Sequence, residues 1–424
     1  GIPLVNITAP SSGGVSRNEY ETFNVPDKGA ILNNSYTLSK TELAGYVQGN
    51  NNMAERPAKI IVNEVTGAGS TSMDGFLEVA GNRADVVIAN PNGITVNGGG
   101  FINTGKAFLT TGKPVYDGED HLQRFDITGG DILIEGKGLG GKETESLAIL
   151  SRAVRINAGI WAKDLHITTG ANSIDAKTLE ASAIEGKGGC PAFALDTAAI
   201  GGMYAGRITL VGTEKGLGVN NSGTWSAEDN LTLDWNGDLK NSGTIYSKGN
   251  TDLRASRLEN DKTIAAGKDI TISADGHVTN TGTVGAGINE IGKLTETGTL
   301  EIQSRRVDNR QGNLLAGNRL GISSGSLSNV KGQISGYGTF HTAAEEIDNT
   351  DGKISFIGDV SIKAKDMAND KGRLTTESSL FLRGNTVTNG KGTIIAGGDA
   401  SLYGTSLNNT EGNIITGKDM ELVL

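Results

Sequence analysis

The sequence predicts an all-β chain wound as a parallel β-solenoid, and three observations predict it. The second half repeats every 20 residues. Apolar residues inside each repeat alternate two apart, and Gly is abundant at 63 of 424 residues while aromatics make up 5%. Many short strands joined by tight turns suit that composition. A globular α/β protein would carry more helix formers and more aromatic side chains.

The repeat is explicit. "NRQGNLLAG" begins at Asn309, and its counterparts begin at Asn329, Asn349, Asn369, Asn389 and Asn409, always 20 residues on. Looser copies at Asn221, Asn241, Asn260 and Asn280 extend the series upstream. The longer step from Asn280 to Asn309 contains "INEIGKLTE", which reads as a loop insertion. Offsets 5, 11, 13 and 18 from the Asn are apolar: Ile354, Val360, Ile362 and Met367 in one coil, Leu374, Leu380, Leu382 and Val387 in the next. Offsets 11 and 13 have the two-residue period of a strand with one buried face. Three short strands with their turns make one coil, and each coil needs its neighbours to bury those strands. A leucine-rich repeat would require a Leu-x-x-Leu-x-Leu frame, which is missing. The recurring Asn reads as a structural turn residue, tolerant of left-handed backbone angles and able to bond turn backbone groups.

Residues 1–220 lack the fixed period but share the composition. Strand-like runs "KIIVNEV", "FLEVAG", "ADVVIAN", "AFLTTG", "DILIEG", "LHITTG" and "RITLVG" alternate with Gly, Asn and Asp turns. Only "ETESLAILSRAVRINAGIWA" has moderate helical potential, and its apolar spacing suits another coil equally well. The stretch Asn90-Pro91-Asn92-Gly93-Ile94 follows an apolar run, as a phosphate-cradling loop would. No helix signal follows Gly93, which such a loop requires. It is instead predicted as a sharp turn, with Pro91 fixing φ and Asn92 and Gly93 able to take positive φ.

The bulk numbers narrow the partners. A net charge of −10 without a basic stripe argues against nucleic acid or an anionic membrane. Cys190 is the sole cysteine, so no disulfide framework and no cysteine-based zinc site can form. No apolar run is long enough to span a membrane as a helix. The strand-like opening "GIPLVNITAP" suits a mature chain, and the mid-repeat ending "GKDMELVL" suits a piece of a longer one.

The ordered series "FNVPDKGAILNNS", "NNNMA", "KIIVNEV", "FLEVAGNRADVVIANPNGI", "FLTTGKPV" and "GGMYAGRITLVGTEKGLGV" resembles the two-partner secretion domain, also called the haemagglutination activity domain. That domain begins filamentous haemagglutinins and contact-dependent growth inhibition exoproteins. The resemblance covers residues 1–215, and residues 216–424 resemble the filamentous haemagglutinin repeats that follow it. It implies a right-handed parallel β-helix with an N-terminal cap and extra short strands. It also implies passage through the periplasm, recognition by the POTRA domains of a TpsB-type outer-membrane transporter, and folding at the cell surface. Two family motifs are tied to that recognition. One is present unchanged as Asn90, Pro91, Asn92, Gly93 and Ile94; the other, normally Asn-Pro-Asn-Leu, aligns with Asn50-Asn51-Asn52-Met53. Asn50, Asn52 and Met53 are therefore candidates, with Asn51 releasing the φ angle a Pro would fix. The whole protein is expected to be a toxin-delivery filament of the contact-dependent inhibition type, meeting a target-cell receptor through regions further downstream. The alternatives are an adhesin that binds host cells or glycans, and, behind it, a β-helix polysaccharide-degrading enzyme.

For the enzyme alternative the sequence offers little. His121, His166, His277 and His341 are scattered and lack metal-ligand spacing. Cys190, beside Pro191, reads as a turn or packing residue. Asp359, Asp399 and Asp419 share one repeat register, but Ser379 interrupts the row and the settings read as solvated turns. The expectation is a non-enzymatic chain with no catalytic residues, no metal and no cofactor. Trp225 is placed in the core, Trp235 is held as an exposed binding candidate, and no aromatic platform for glycans stands out.

Overall fold

The chain is described by a computed structural model, which covers residues 1–53 and 56–424. Strands and turns account for its regular structure, with no helix among the described residues. It divides into two compact units, Gly1–Ala227 with Trp235–Gly237, and Glu228–Asp234 with Asp238–Leu424.

In the first unit, parallel strands form three stacks. One runs through Ala30–Asn34, Phe76–Gly81, Gly99–Ile102, Leu139–Gly141 and the front halves of Gly159–Thr169 and Gly202–Gly212. The second runs through Val15–Tyr20, Ile60–Val65, Ala84–Ala89, Thr104–Thr110 and Ser146–Ser151 to the back halves of those two long strands. The third joins Thr71–Met73, Ile94–Val96, Asp131–Ile134, Ala153–Ile156, Leu195–Thr197 and Val219–Asn221. Side chains at paired positions stack inward, as in the column Leu139, Ile160, Met203 and Trp225, all at 0% exposure. The stretch with helical potential forms the strands Ser146–Ser151 and Ala153–Ile156 and the start of Gly159–Thr169, with short turns between them, because its apolar residues complete these columns.

Two additions explain why this half has no fixed period. A hairpin, Ser39–Thr41 with Gly45–Val47, interrupts one coil. A four-stranded antiparallel sheet of Lys113–Tyr116, Leu122–Ile127, Asn172–Asp175 and Ala181–Ala183 interrupts others. Phe125, Ile127 and Ile174 of this sheet pack on Val62, Val87, Phe108 and Ala148, giving the solenoid wall a second core on its outside. Burying both faces of that wall is what the continuous apolar run "ADVVIA" provides.

In the second unit the 20-residue coil is regular. Offset 5 becomes the column Leu314, Ile334, Ile354, Leu374 and Ile394. Offsets 11, 13 and 18 become buried columns in the same way, for example Val360 on Leu380 and Met367 on Val387. The three short strands expected per coil are present in the early part of this unit, as Thr251–Ala255, Leu258–Asn260 and Thr263–Ala266, and from Ile270 onward two of the three run together as one long strand. A four-residue strand such as Lys353–Phe356 precedes a long one such as Val360–Ala368, whose pairing carries on round the corner. Small corner residues, Ala344 and Ala364, let the strand bend without losing its partner. "INEIGKLTE" is an excursion closed by the Ile288–Leu294 bridge, with Ile291 at 84% exposure.

Candidate functional site

The two stretches singled out by the sequence resemblance build the same turn. At Asn90-Pro91-Asn92-Gly93 the Gly93 amide donates to the Asn90 carbonyl at 3.1 Å, and the Asn92 amide donates to Asn90 Oδ1 at 2.9 Å. At Asn50-Asn51-Asn52-Met53 the Met53 amide donates to the Asn50 carbonyl at 3.1 Å and the Asn52 amide to Asn50 Oδ1 at 2.9 Å. An Asn that caps the amide two residues on makes an Asx turn, so Asn51 serves where its counterpart has Pro91.

In each turn the first Asn faces inward and ties its coil to the one before. Asn90 Nδ2 donates to the Gly69 carbonyl at 2.9 Å and to Thr71 Oγ1 at 3.0 Å. Asn50 Nδ2 donates to the carbonyls of Ile7 and Asn33 at 2.9 and 3.0 Å. The second Asn is exposed but its amide also reaches back, from Asn92 to the Gly67 carbonyl at 2.7 Å and from Asn52 to the Ile7 carbonyl at 3.1 Å. Pro91 and Asn51 project into solvent, while Gly93, Ile94 and Met53 are buried. Gly93 adopts φ +112 and Asn92 does not enter the left-handed region. Ala54, which ends the quoted "NNNMA", lies outside the described residues.

The repeat asparagines occupy a different environment. Asn309, Asn329, Asn349, Asn369 and Asn389 are at 0% exposure and form a chain of amide hydrogen bonds, each Nδ2 donating to the next Oδ1 at 2.7–2.8 Å and ending on Asn409. The chain extends upstream through Asn241, Asn260 and Asn280. The same Nδ2 groups reach turn carbonyls, as from Asn309 to Gly312 and Gln333 at 3.2 Å. Positive φ, expected at the Asn, sits two residues later, at Gln311, Lys331, Asp351, Lys371, Lys391 and Glu411. A buried stacking position and a left-handed turn position are separate requirements, and here separate residues meet them.

Of the residues weighed for enzyme chemistry, Asp359, Asp399, His166 and His121 make local contacts. Asp359 Oδ1 accepts from the Ser379 amide at 3.1 Å and from the Ser378 hydroxyl, and that hydroxyl contact lowers its pKa. Asp399 Oδ1 accepts from the Asp419 amide at 3.2 Å. His166 is bonded to Thr168 Oγ1 at 2.8 Å, and burial holds its pKa below the usual value. His121 contacts Asp117 at 3.1 Å. Among the described residues no three His, Cys, Asp or Glu side chains converge for a metal. Cys190 is exposed, in a loop held by Arg152. Arg152 pairs with Glu214 through two contacts at 2.8 and 3.2 Å and donates to the Lys187 carbonyl at 2.9 Å. Trp225 is fully buried, as expected. Trp235 is not an exposed candidate: it is 3% exposed, lies flat against Gly212 and donates to the Leu217 carbonyl at 2.8 Å.

Known proteins share this sequence and fold. The TPS secretion domain family matches residues 1–246, and the haemagglutinin repeat family matches residues 284–366 and 357–423. A tRNA nuclease CdiA of Yersinia mollaretii is 38% identical over 339 residues, 74% of this chain and 11% of that protein. A 16S rRNA endonuclease CdiA of Enterobacter cloacae is 41% identical over 302 residues, 71% of this chain and 9% of that protein. This chain therefore spans only about a tenth of such relatives. The crystal structure of a filamentous hemagglutinin secretion domain superposes with a TM-score of 0.52 at 29% identity, covering 76% of this chain and 92% of that one.

Proposed function

This chain belongs to the TPS secretion domain family, and from that premise we propose that it is the secretion front and first rod coils of a toxin-delivery exoprotein of the contact-dependent inhibition type. Family membership brings with it a dedicated transporter partner and a secreted, surface-exposed location. The finer steps are the proposal. The POTRA domains of an outer-membrane TpsB-type transporter recognise the segment of residues 1–215. That segment then folds outside the cell and templates the coils that follow it. Folding supplies the drive, since each new coil buries apolar surface on the last. Any toxin activity and any target-cell receptor site belong to regions beyond this chain, because the aligned share of the CdiA relatives is about a tenth.

The observation that carries the recognition role is the shared turn. Asn50 and Asn90 sit in the same Asx geometry, yet only Pro91, Asn92, Asn51 and Asn52 reach the surface of the folded domain. The test is secretion of the exoprotein beside its transporter, with and without residues 1–215, and with Asn92→Ala. Loss of secretion on deletion, and loss with Asn92→Ala in a chain that still folds, support the reading. Undiminished secretion after the deletion would overturn it. A neighbouring immunity gene and a C-terminal effector in the full protein would separate toxin delivery from adhesion.

A further inference from the structure

One surface column of the first unit carries an arrangement that the secretion role leaves unused. Phe76, Gly100, Gly140, Trp161 and Tyr204 occupy successive positions of one register on the outside of the first strand stack. The three aromatic residues are 41%, 42% and 40% exposed. Each ring lies down over glycine backbone. A Cβ placed on Gly100 would meet Phe76 Cδ1 at 2.7 Å, and one on Gly140 would meet Phe76 Cζ at 3.4 Å. A Cβ on Gly159 would meet Trp161 Cζ2 at 2.6 Å, one on Gly138 would meet Trp161 Cζ3 at 3.0 Å, and one on Gly202 would meet the Tyr204 hydroxyl at 2.7 Å. The planes of Trp161 and Tyr204 differ by only 17°, with centroids 6.0 Å apart. The column spans four coil steps, about 19 Å.

We propose that this column is a carbohydrate-binding surface that takes a neutral, unbranched pyranose chain laid along the solenoid axis. Flat-lying rings present their electron-rich faces outward, where the C–H face of a sugar packs. The groove beside Phe76 adds Arg83, Glu143 and Lys163, charges of both signs that hydrogen-bond hydroxyls and do not select a polyanion. A peptide strand finds no partner here, because the strands of this stack are already paired on both sides. Aromatic cover over glycine can also be purely structural. The test must therefore read binding and folding separately.

The probes are cellohexaose, maltohexaose and chitohexaose, titrated into the 424-residue chain while its tryptophan emission is recorded. Trp225 and Trp235 are buried at 0% and 3% exposure, so a ligand-induced change reports on Trp161. At least one probe is expected to give a saturable change. Tyr204→Ala is expected to weaken that binding by about tenfold or more, the loss of roughly one aromatic contact. Trp161→Ala removes the reporter, so its loss of binding is read by calorimetry. Thermal melts of each variant check the fold, and Lys163→Ala at the rim gives a second, milder loss in a chain whose column is intact. The proposal falls if no probe binds at millimolar concentration. It falls equally if binding survives in the double variant Trp161→Ala, Tyr204→Ala.

Discussion

Asn349 Nδ2 donates to Asn369 Oδ1 at 2.7 Å, with both side chains at 0% exposure. Asn369 in turn donates to Asn389, so each amide is donor to one coil and acceptor from another. Replacing Asn369 with Ala removes the acceptor of one Asn349 N–H, which keeps its turn carbonyls, and the donor to Asn389 Oδ1. Each unsatisfied buried group costs about 1–3 kcal/mol, so the flanking coils should lose about 2–6 kcal/mol. Amide hydrogen exchange in the coils around residue 369 measures this, since repeat arrays open locally. Asn369→Asp should be worse at neutral pH, because a carboxylate cannot donate to Asn389. Burial raises that carboxyl's pKa. Stability should therefore recover as the pH falls through the raised value and the proton supplies the missing donor.

This ladder shows what was legible in the sequence and what was not. The apolar columns could be read directly, because Ile354, Leu374 and Ile394 recur at a fixed offset and a column needs only that. The role of the Asn could not be separated from its neighbours, since residues two apart share the same spacing and both serve the turn. The structure separates the stacking Asn, buried and amide-bonded, from the exposed, left-handed Lys331 or Lys371. The aromatic column was hidden for a different reason. Phe76, Trp161 and Tyr204 come into register only after the antiparallel sheet and its connections are looped out of the coils. Trp235 was misplaced because its burial depends on the missing side chain of Gly212, far away in sequence.

The equivalence of the two Asx turns makes Asn51→Pro a stabilising change. Asn51 is exposed and stands where Pro91 stands in the twin turn, and its φ is not positive. Fixing φ in the unfolded chain should add about 0.4–1 kcal/mol. A rise in the denaturant midpoint with an unchanged slope would bear this out, and a fall would show that the two turns differ. Asn50→Ala should act oppositely, since its Nδ2 holds the carbonyls of Ile7 and Asn33. It should cost about 2–3 kcal/mol.

Lys371 has φ +55 and its amide donates to the Gly390 carbonyl at 2.8 Å. A left-handed conformation costs an ordinary side chain about 1–2 kcal/mol, and Asn tolerates it better. Lys371→Asn should therefore stabilise its coil by up to about 1 kcal/mol. Lys371→Val should destabilise it by more than the wild-type strain, because branching at Cβ deepens the clash. Parallel melts of the two variants, read against the wild type, give opposite signs if the turn geometry is as described.

Arg152 and Glu214 hold the loop that carries Cys190, with side chains 7% and 22% exposed. Arg152→Ala leaves the carboxylate half-enclosed without its partner, and releases the Lys187 carbonyl. The cost should be about 3 kcal/mol, the lower end for breaking a buried pair, because Glu214 keeps some contact with water. Arg152→Lys should recover only part of it, since an ammonium cannot reproduce the two-pronged contact. The hydrogen bond from Arg152 holds the Glu214 carboxyl below its usual pKa. A carboxyl lowered in the fold stabilises it fully above the unfolded value, about 4.3, and that stabilisation drains away as pH falls through the lowered value. Proteolysis within 185–190 should therefore stay slow from neutral pH down to about 4.3 and rise only below it. In Arg152→Ala the same loop should be cut readily even at neutral pH, which ties the protection to this pair and not to the acidity of the rest of the chain.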